Sequence, residues 1–144
     1  MKNMTNTTAA VGDGTSAHSK FIARRDFMHT LLNIPSHTNC NNCGECCYMV
    51  MASESEIKNI KKYIRKNPDV LKKTGKRLSL KCMFRDDKEK KCLIYPVRPL
   101  VCRLMGVTKG MECSQGNSHN IDGYKFFNSK FTNKPRFLNG TKWR

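Results

Sequence analysis

The residues of this chain best suited to chemistry are its cysteines. Four fall within eight residues, in the run Cys40-Asn-Asn-Cys43-Gly-Glu-Cys46-Cys47, and four more follow at Cys82, Cys92, Cys102 and Cys113. Two C-x-x-C steps share Cys43, and the second runs straight into a Cys-Cys pair. A C-x-x-C loop lets both sulfurs turn inward onto one metal at about 2.3 Å, the zinc–thiolate distance. Gly44 suits a knuckle of this kind, because it takes positive φ without Cβ strain. Adjacent Cys46 and Cys47 diverge, so the block offers ligands for two centres, or three ligands plus a spare. Eight thiols are twice the number that closes one zinc site or holds one iron–sulfur cluster. Thiolate-only sites select Zn2+ or iron–sulfur clusters over hard cations. The leading expectation is two zinc centres of four cysteines each; the alternatives are iron and one [4Fe–4S] cluster with the remaining cysteines structural or reactive.

The rest of the chain must position these thiols. Its 144 residues make one domain with some chain left for tails, and the apolar fraction of 38% is low for a fold resting on burial alone. The mean hydropathy of −0.61 agrees. Small cores of this kind are cross-linked by metal or by disulfides. The opening Met1-Lys-Asn-Met-Thr-Asn-Thr-Thr lacks the apolar core of a secretory signal, and no run of ~20 apolar residues suggests a membrane span. A reducing, cytoplasmic setting and metal ligation are therefore expected over disulfides. The formal charge is +16, from 27 Lys and Arg against 11 acids. Eight thiolates with two Zn2+ would lower it by only four charges, so an acidic partner, nucleic acid or protein, is a reading beside the plainer one of lysines that solvate a surface.

Residues 1–19 read as a disordered leader, 20–117 as the cysteine-cluster domain and 118–144 as a basic, aromatic-containing tail. Phe21, Met28 and Leu32 share a face of a short amphipathic helix from Lys20 to Asn33, ended by Ile34-Pro35. His29 and His37 flank that region; a lone histidine is ordinarily a surface residue, with ligation by His37 the lesser reading. Ser53 and Glu56 form a capping box that opens a second helix, with Ile57, Ile60 and Ile64 as its buried stripe, lysines outside, and Asn67-Pro68 as its stop. A further helical turn ends near Gly75. Leu78-Ser-Leu80 and Cys92-Leu-Ile-Tyr95 read as the arms of a hairpin that brings Cys82 and Cys92 together around a charged, solvated tip. Pro99 suits the first turn of a helix that carries Cys102 inward, and Gly106 ends it. Arg98 and Arg103 flank that cysteine, where their guanidinium groups can hydrogen-bond sulfur or backbone carbonyls and offset thiolate charge. The aromatic residues of the tail either fill gaps on the domain or stack on single-stranded nucleic acid.

The ordered set Cys40-x-x-Cys43-x-x-Cys46-Cys47, Cys82, Cys92-x-Ile94-Tyr95-x-x-Arg98-Pro99-x-x-Cys102-Arg103, Gly106 and Cys113 closely resembles the CxxCxxCC, or YkgJ-type, cysteine-cluster family of zinc- or iron-chelating domains. The resemblance covers about residues 40–117 and implies a small metal-binding module. The same type of domain occurs in flagellin lysine methylases, which implies a link to protein modification. Members often end in a Cys-Pro-His-Gly-Cys-like run, whereas this chain reads Cys113-Ser-Gln-Gly-Asn117, without the last cysteine. The expected architecture is a small α+β domain folded around metal, with short helices, a short hairpin and flexible tails. No nucleotide-binding glycine motif and no H-E-x-x-H is present, so a catalytic role within this chain is the weakest reading.

Overall fold

The organising helix is α1, Glu54–Lys66, and the capping box that opens it is complete. The Glu56 amide donates to Ser53 Oγ (3.4 Å) and the Ser53 amide donates back to Glu56 Oε2 (2.7 Å). Ile57, Ile60 and Ile64 are buried on one face, Ile60 completely, while the lysines between them point outward. Each such side chain contributes about 1.5–3 kcal/mol of burial. Asn67 caps the C-terminus through its amide to the carbonyls of Tyr63 and Ile64, and Pro68 begins the short α2, Asp69–Lys72.

The structure is a computed structural model and describes residues 33–75, 79–123 and 135–143. The expected leader and the helix from Lys20 lie outside the described residues, except for Asn33. Within them the chain is a small α+β domain. Strand β1, Met51–Ala52, pairs antiparallel with β4, Arg136–Phe137, and β2, Arg85–Asp86, pairs antiparallel with β3, Lys91–Cys92. A 3-10 turn at Tyr95–Val97 leads into α3, Leu100–Leu104, whose N-cap is Pro99.

The hairpin exists, but its arms differ from those read in the sequence. Asp86 Oδ1 accepts from the amides of Lys88 and Glu89 at 3.1 Å each, and Lys90 takes φ +47°. That turn draws the strands in to 85–86 and 91–92, and the 3-10 turn starting at Tyr95 ends the second arm. The segment around Leu80 pairs elsewhere. Met49 donates to the Leu80 carbonyl and Cys82 to the Cys47 carbonyl, both at 2.8 Å, so it lies along the exit of the cysteine block. Leu78 falls outside the described residues.

One apolar core gathers the α1 stripe, Val50, Ala52, Val70, Met83, Phe84, Ile94, Leu138 and Trp143. Phe84 and Trp143 meet edge to face, with ring centroids 5.0 Å apart, and the Trp143 indole donates to the Leu138 carbonyl at 3.1 Å. Of the tail aromatics, Trp143 fills the core with its neighbour Leu138, whereas Phe137 is exposed; Tyr124, Phe126, Phe127 and Phe131 lie outside the described residues. A smaller cluster of Leu100 and Leu104 packs with Ile34, Met111 and Ile121. Glu56 is one of the links between the two clusters. Glu56 gives its second oxygen, Oε1, to the amide of Leu100 at 2.6 Å, so the carboxylate that closes the start of α1 also holds the start of α3.

Candidate metal centre

The cysteine block leaves the core as a loop rather than as an element of regular structure. Cys47 donates its amide to the Gly44 carbonyl at 3.0 Å, and Gly44 takes φ +84°, as a knuckle requires. A Cβ there would sit 2.8 Å from Arg85 Nε. Arg85 is therefore packed under the loop; its side chain is 3% exposed, and its guanidinium donates to the Asn42 carbonyl at 2.6 Å and to Asp87 Oδ1 at 3.2 Å. Sequence reasoning missed this residue, because Arg85-Asp-Asp reads as the start of a solvated tip.

The loop forms one wall of a cavity of about 290 Å³. Seven of the eight cysteines line it: Cys40, Cys43, Cys46, Cys47, Cys92, Cys102 and Cys113. They arrive from four stretches of chain: the block, the second hairpin arm, α3 and the loop beyond Gly106. Cys82 does not line the cavity; it is buried behind it, with its amide on Cys47. Three of the thiols share a local arrangement. The amides of Phe84, Ile94 and Gln115, each two residues beyond a cysteine, donate to the sulfurs of Cys82, Cys92 and Cys113 respectively. At Cys82 and Cys92 these N–H groups oppose the rise that burial causes.

Cys46, Cys82, Cys92 and Cys102 act on one another electrostatically. Burial is the main cause holding Cys82 up at about 11, and burial also raises Cys92 and Cys102. Cys46 is raised above all by its hydrogen bond with Cys47, then by burial. Arg98 opposes the rise at Cys46, Cys92 and Cys102. Cys40, Cys43 and Cys113 line the same cavity. Asn41 Nδ2 donates to Gln115 Oε1 at 3.0 Å, and the Thr38 amide donates to Ser118 Oγ at 3.2 Å, which seams the block to the last loop.

The two arginines take different places. Arg98 lines the cavity with its guanidinium 3.9 Å from the centre of the Tyr95 ring, and its buried Nε has no hydrogen-bond partner. Arg103 does not line the cavity. Its Nε donates to the Arg98 carbonyl at 3.1 Å and its Nη2 to the Pro96 carbonyl at 2.9 Å, which fixes the turn leading into α3. Burial, then the charge of Arg98, lowers the Arg103 pKa from its ordinary value.

A soft metal fits this donor set. Seven cysteines line the cavity, a guanidinium faces them, and among the lining side chains are buried nitrogens with no partner, an arrangement that calls for a bound cation or thiolate charge. Among the described residues no three His, Cys, Asp or Glu side chains stand close enough as placed to hold an ion, so ligation requires side-chain rotation within the cavity. The acidic side chains of the hairpin tip are already engaged: Asp86 is spent on the turn, Asp87 pairs with Lys81 and Arg85, and Glu89 with Lys91.

Comparison with known proteins agrees with this donor chemistry. An uncharacterized protein of Methanocaldococcus jannaschii is 39% identical over 77 residues, covering 46% of this chain and 42% of the relative. The chain thus spans less than half of that relative's length. No solved structure matches the chain. The model of the CxxCxxCC family, described as a "Putative zinc- or iron-chelating domain", matches residues 39–133, which include all eight cysteines and more than half of the chain. The chain belongs to the CxxCxxCC family.

Proposed function

We propose that this protein binds two zinc ions in the thiol-lined cavity and that the bound ions serve mainly to hold the fold together. The observation that carries this is the convergence of seven cysteines, from four stretches of chain, on one cavity. Family membership supports chelation of zinc or iron; the choice of zinc rests on the softness of the donors and on the closed coordination that four protein ligands give. Cys92, Cys102 and one of the adjacent pair Cys46 and Cys47 form the inner set, with Cys82 turning in from behind the cavity wall. Cys40, Cys43 and Cys113 are the cysteines of the outer set. Adjacent residues do not both face one ion, which leaves the other of the Cys46–Cys47 pair as a spare. This division departs from four cysteines for each centre.

Zinc bound in this way supplies cross-linking free energy. The chain's own contribution is to present the sulfurs. The amides of Phe84, Ile94 and Gln115 hold thiolate charge, Arg98 offsets it from within the cavity, and Arg85 and Arg103 fix the loop and the turn that carry the ligands. Four thiolates leave no open position for a substrate at the inner ion, so the reading is of a structural or interaction module.

The test is metal content and an absorption spectrum on protein purified without oxygen and without added metal. A colourless protein with close to two zinc per chain is expected. A brown protein with a broad band near ~400 nm and acid-labile sulfide would overturn the zinc reading in favour of a cysteine-ligated iron–sulfur cluster.

A further inference from the structure

The outer set holds three cysteines, one ligand short of a closed zinc site. His37 lies in the same cavity. Both of its ring nitrogens are buried, and neither has a hydrogen-bond partner. A buried imidazole with two unpartnered nitrogens carries an uncompensated desolvation cost. Native structures seldom leave such a group without an unseen water or ion beside it.

The position of the ring is built rather than incidental. Gly106 takes φ +71°, and a Cβ there would overlap the imidazole of His37 and come within 2.9 Å of Cys113 Cβ. The histidine and the cysteine thus face one another across a position that only glycine can occupy. The flanking backbone is tied to the same loop, through the Thr38 amide on Ser118 and the Asn41 side chain on Gln115. Beyond Gly106 the loop is closed in turn, with Gly106 donating to the Met111 carbonyl at 2.8 Å and Cys113 to Asn117 Oδ1 at 3.0 Å.

We infer that His37 is the fourth ligand of the outer centre, which is a Cys3His site of Cys40, Cys43, Cys113 and one imidazole nitrogen. This rests on the reading of the cavity as a two-metal site. Mixed sulfur–nitrogen coordination is ordinary for zinc, and the imidazole binds as the neutral ring. One ring nitrogen ligates and the other remains for water or a neighbouring acceptor. The two centres then differ in kind. The inner one carries four thiolates, whereas the outer one, with three, is the less negative.

The experiment loads the full chain with cadmium-113 and records its NMR spectrum, using protein labelled with nitrogen-15 at histidine. Two cadmium resonances are expected, with only the one of three-sulfur type split by nitrogen-15. His37→Cys should keep two metals and lose the splitting. His37→Phe, which fills the space without ligating, should weaken one of the two metals at least ~10-fold and leave the other unchanged. Two unsplit resonances in the wild-type chain, which requires no variant to fold, would overturn the inference while leaving the two-metal reading intact. Failure of the wild-type chain to bind any metal would overturn both.

Discussion

Replacing Glu56 by glutamine should cost about 2–4 kcal/mol and loosen the helix that carries Cys102. One carboxylate accepts three hydrogen bonds: from the Ser53 amide (2.7 Å), the Ser53 hydroxyl (2.8 Å) and the Leu100 amide (2.6 Å). The side chain is buried, and the donors come from the first turns of α1 and α3. Glutamine has the same shape but only one oxygen. Its NH2 group must face one of the two backbone amides and leave that buried donor unmade, which costs ~1–3 kcal/mol. The bond that survives loses its charge assistance, worth about a further 1 kcal/mol. Urea unfolding of the metal-loaded protein, with metal content matched between variants, is the assay. Glu54→Gln is the control. Glu54 sits in the same first turn, but it is exposed and paired only with Lys58 at 3.5 Å, so it should change stability by less than ~0.5 kcal/mol. A Glu56→Gln protein as stable as the Glu54→Gln control would refute the reasoning that one buried carboxylate closes both helices.

Arg85→Ala should lower metal affinity by about 10–100-fold in competition with a chromophoric chelator, because it frees the Asn42 carbonyl and the loop from Cys40 to Cys43; unchanged affinity would show that the loop holds its shape alone. Trp143→Ala should cost ~3–5 kcal/mol in the same unfolding assay, since it removes a buried ring packed on Phe84; a cost below ~1 kcal/mol would mean that the C-terminal segment docks without stabilising the core. Metal should be released as pH falls, because protons compete for every sulfur and burial already raises the thiols of Cys82, Cys92 and Cys102. In the metal-free protein the sign is the opposite for stability: Cys82 at about 11 against an ordinary 9.0 keeps its full contribution below pH 9.0, and that contribution is lost as pH rises through 11. Titrations of metal content and of unfolding midpoint against pH check the two halves separately.

The capping box and the isoleucine stripe were legible because both are local: Ser53, Glu56, Ile57, Ile60 and Ile64 declare a helix by spacing alone. The candidate site was legible in its sulfurs, since cysteine type and spacing carry their own chemistry. What could not be read was the partner of each local piece. Leu80 has the composition of a hairpin strand, yet its neighbours pair with the cysteine block, because the Asp86 turn closes a tighter hairpin first. Glu56 Oε1 reaches an amide 44 residues away, which no capping pattern encodes. Arg85 and His37 look like surface residues in sequence. What marks them is burial: one beneath Gly44, the other against Gly106. Those two glycines were the available signal, since each sits where a side chain from a distant segment must pass.

The seam between Thr38 and Ser118 joins residues 80 positions apart, and it has a consequence for how the chain assembles. Closing a loop of that length costs on the order of 4 kcal/mol of chain entropy before any contact repays it. The Cys40 and Cys43 knuckle closes only a few residues and forms at little cost. An ion captured there first would wait, under-coordinated, until Cys113 arrives from the far end of the domain. The order of ligation would then follow the order of synthesis: the early pair recruits, and the late cysteine seals.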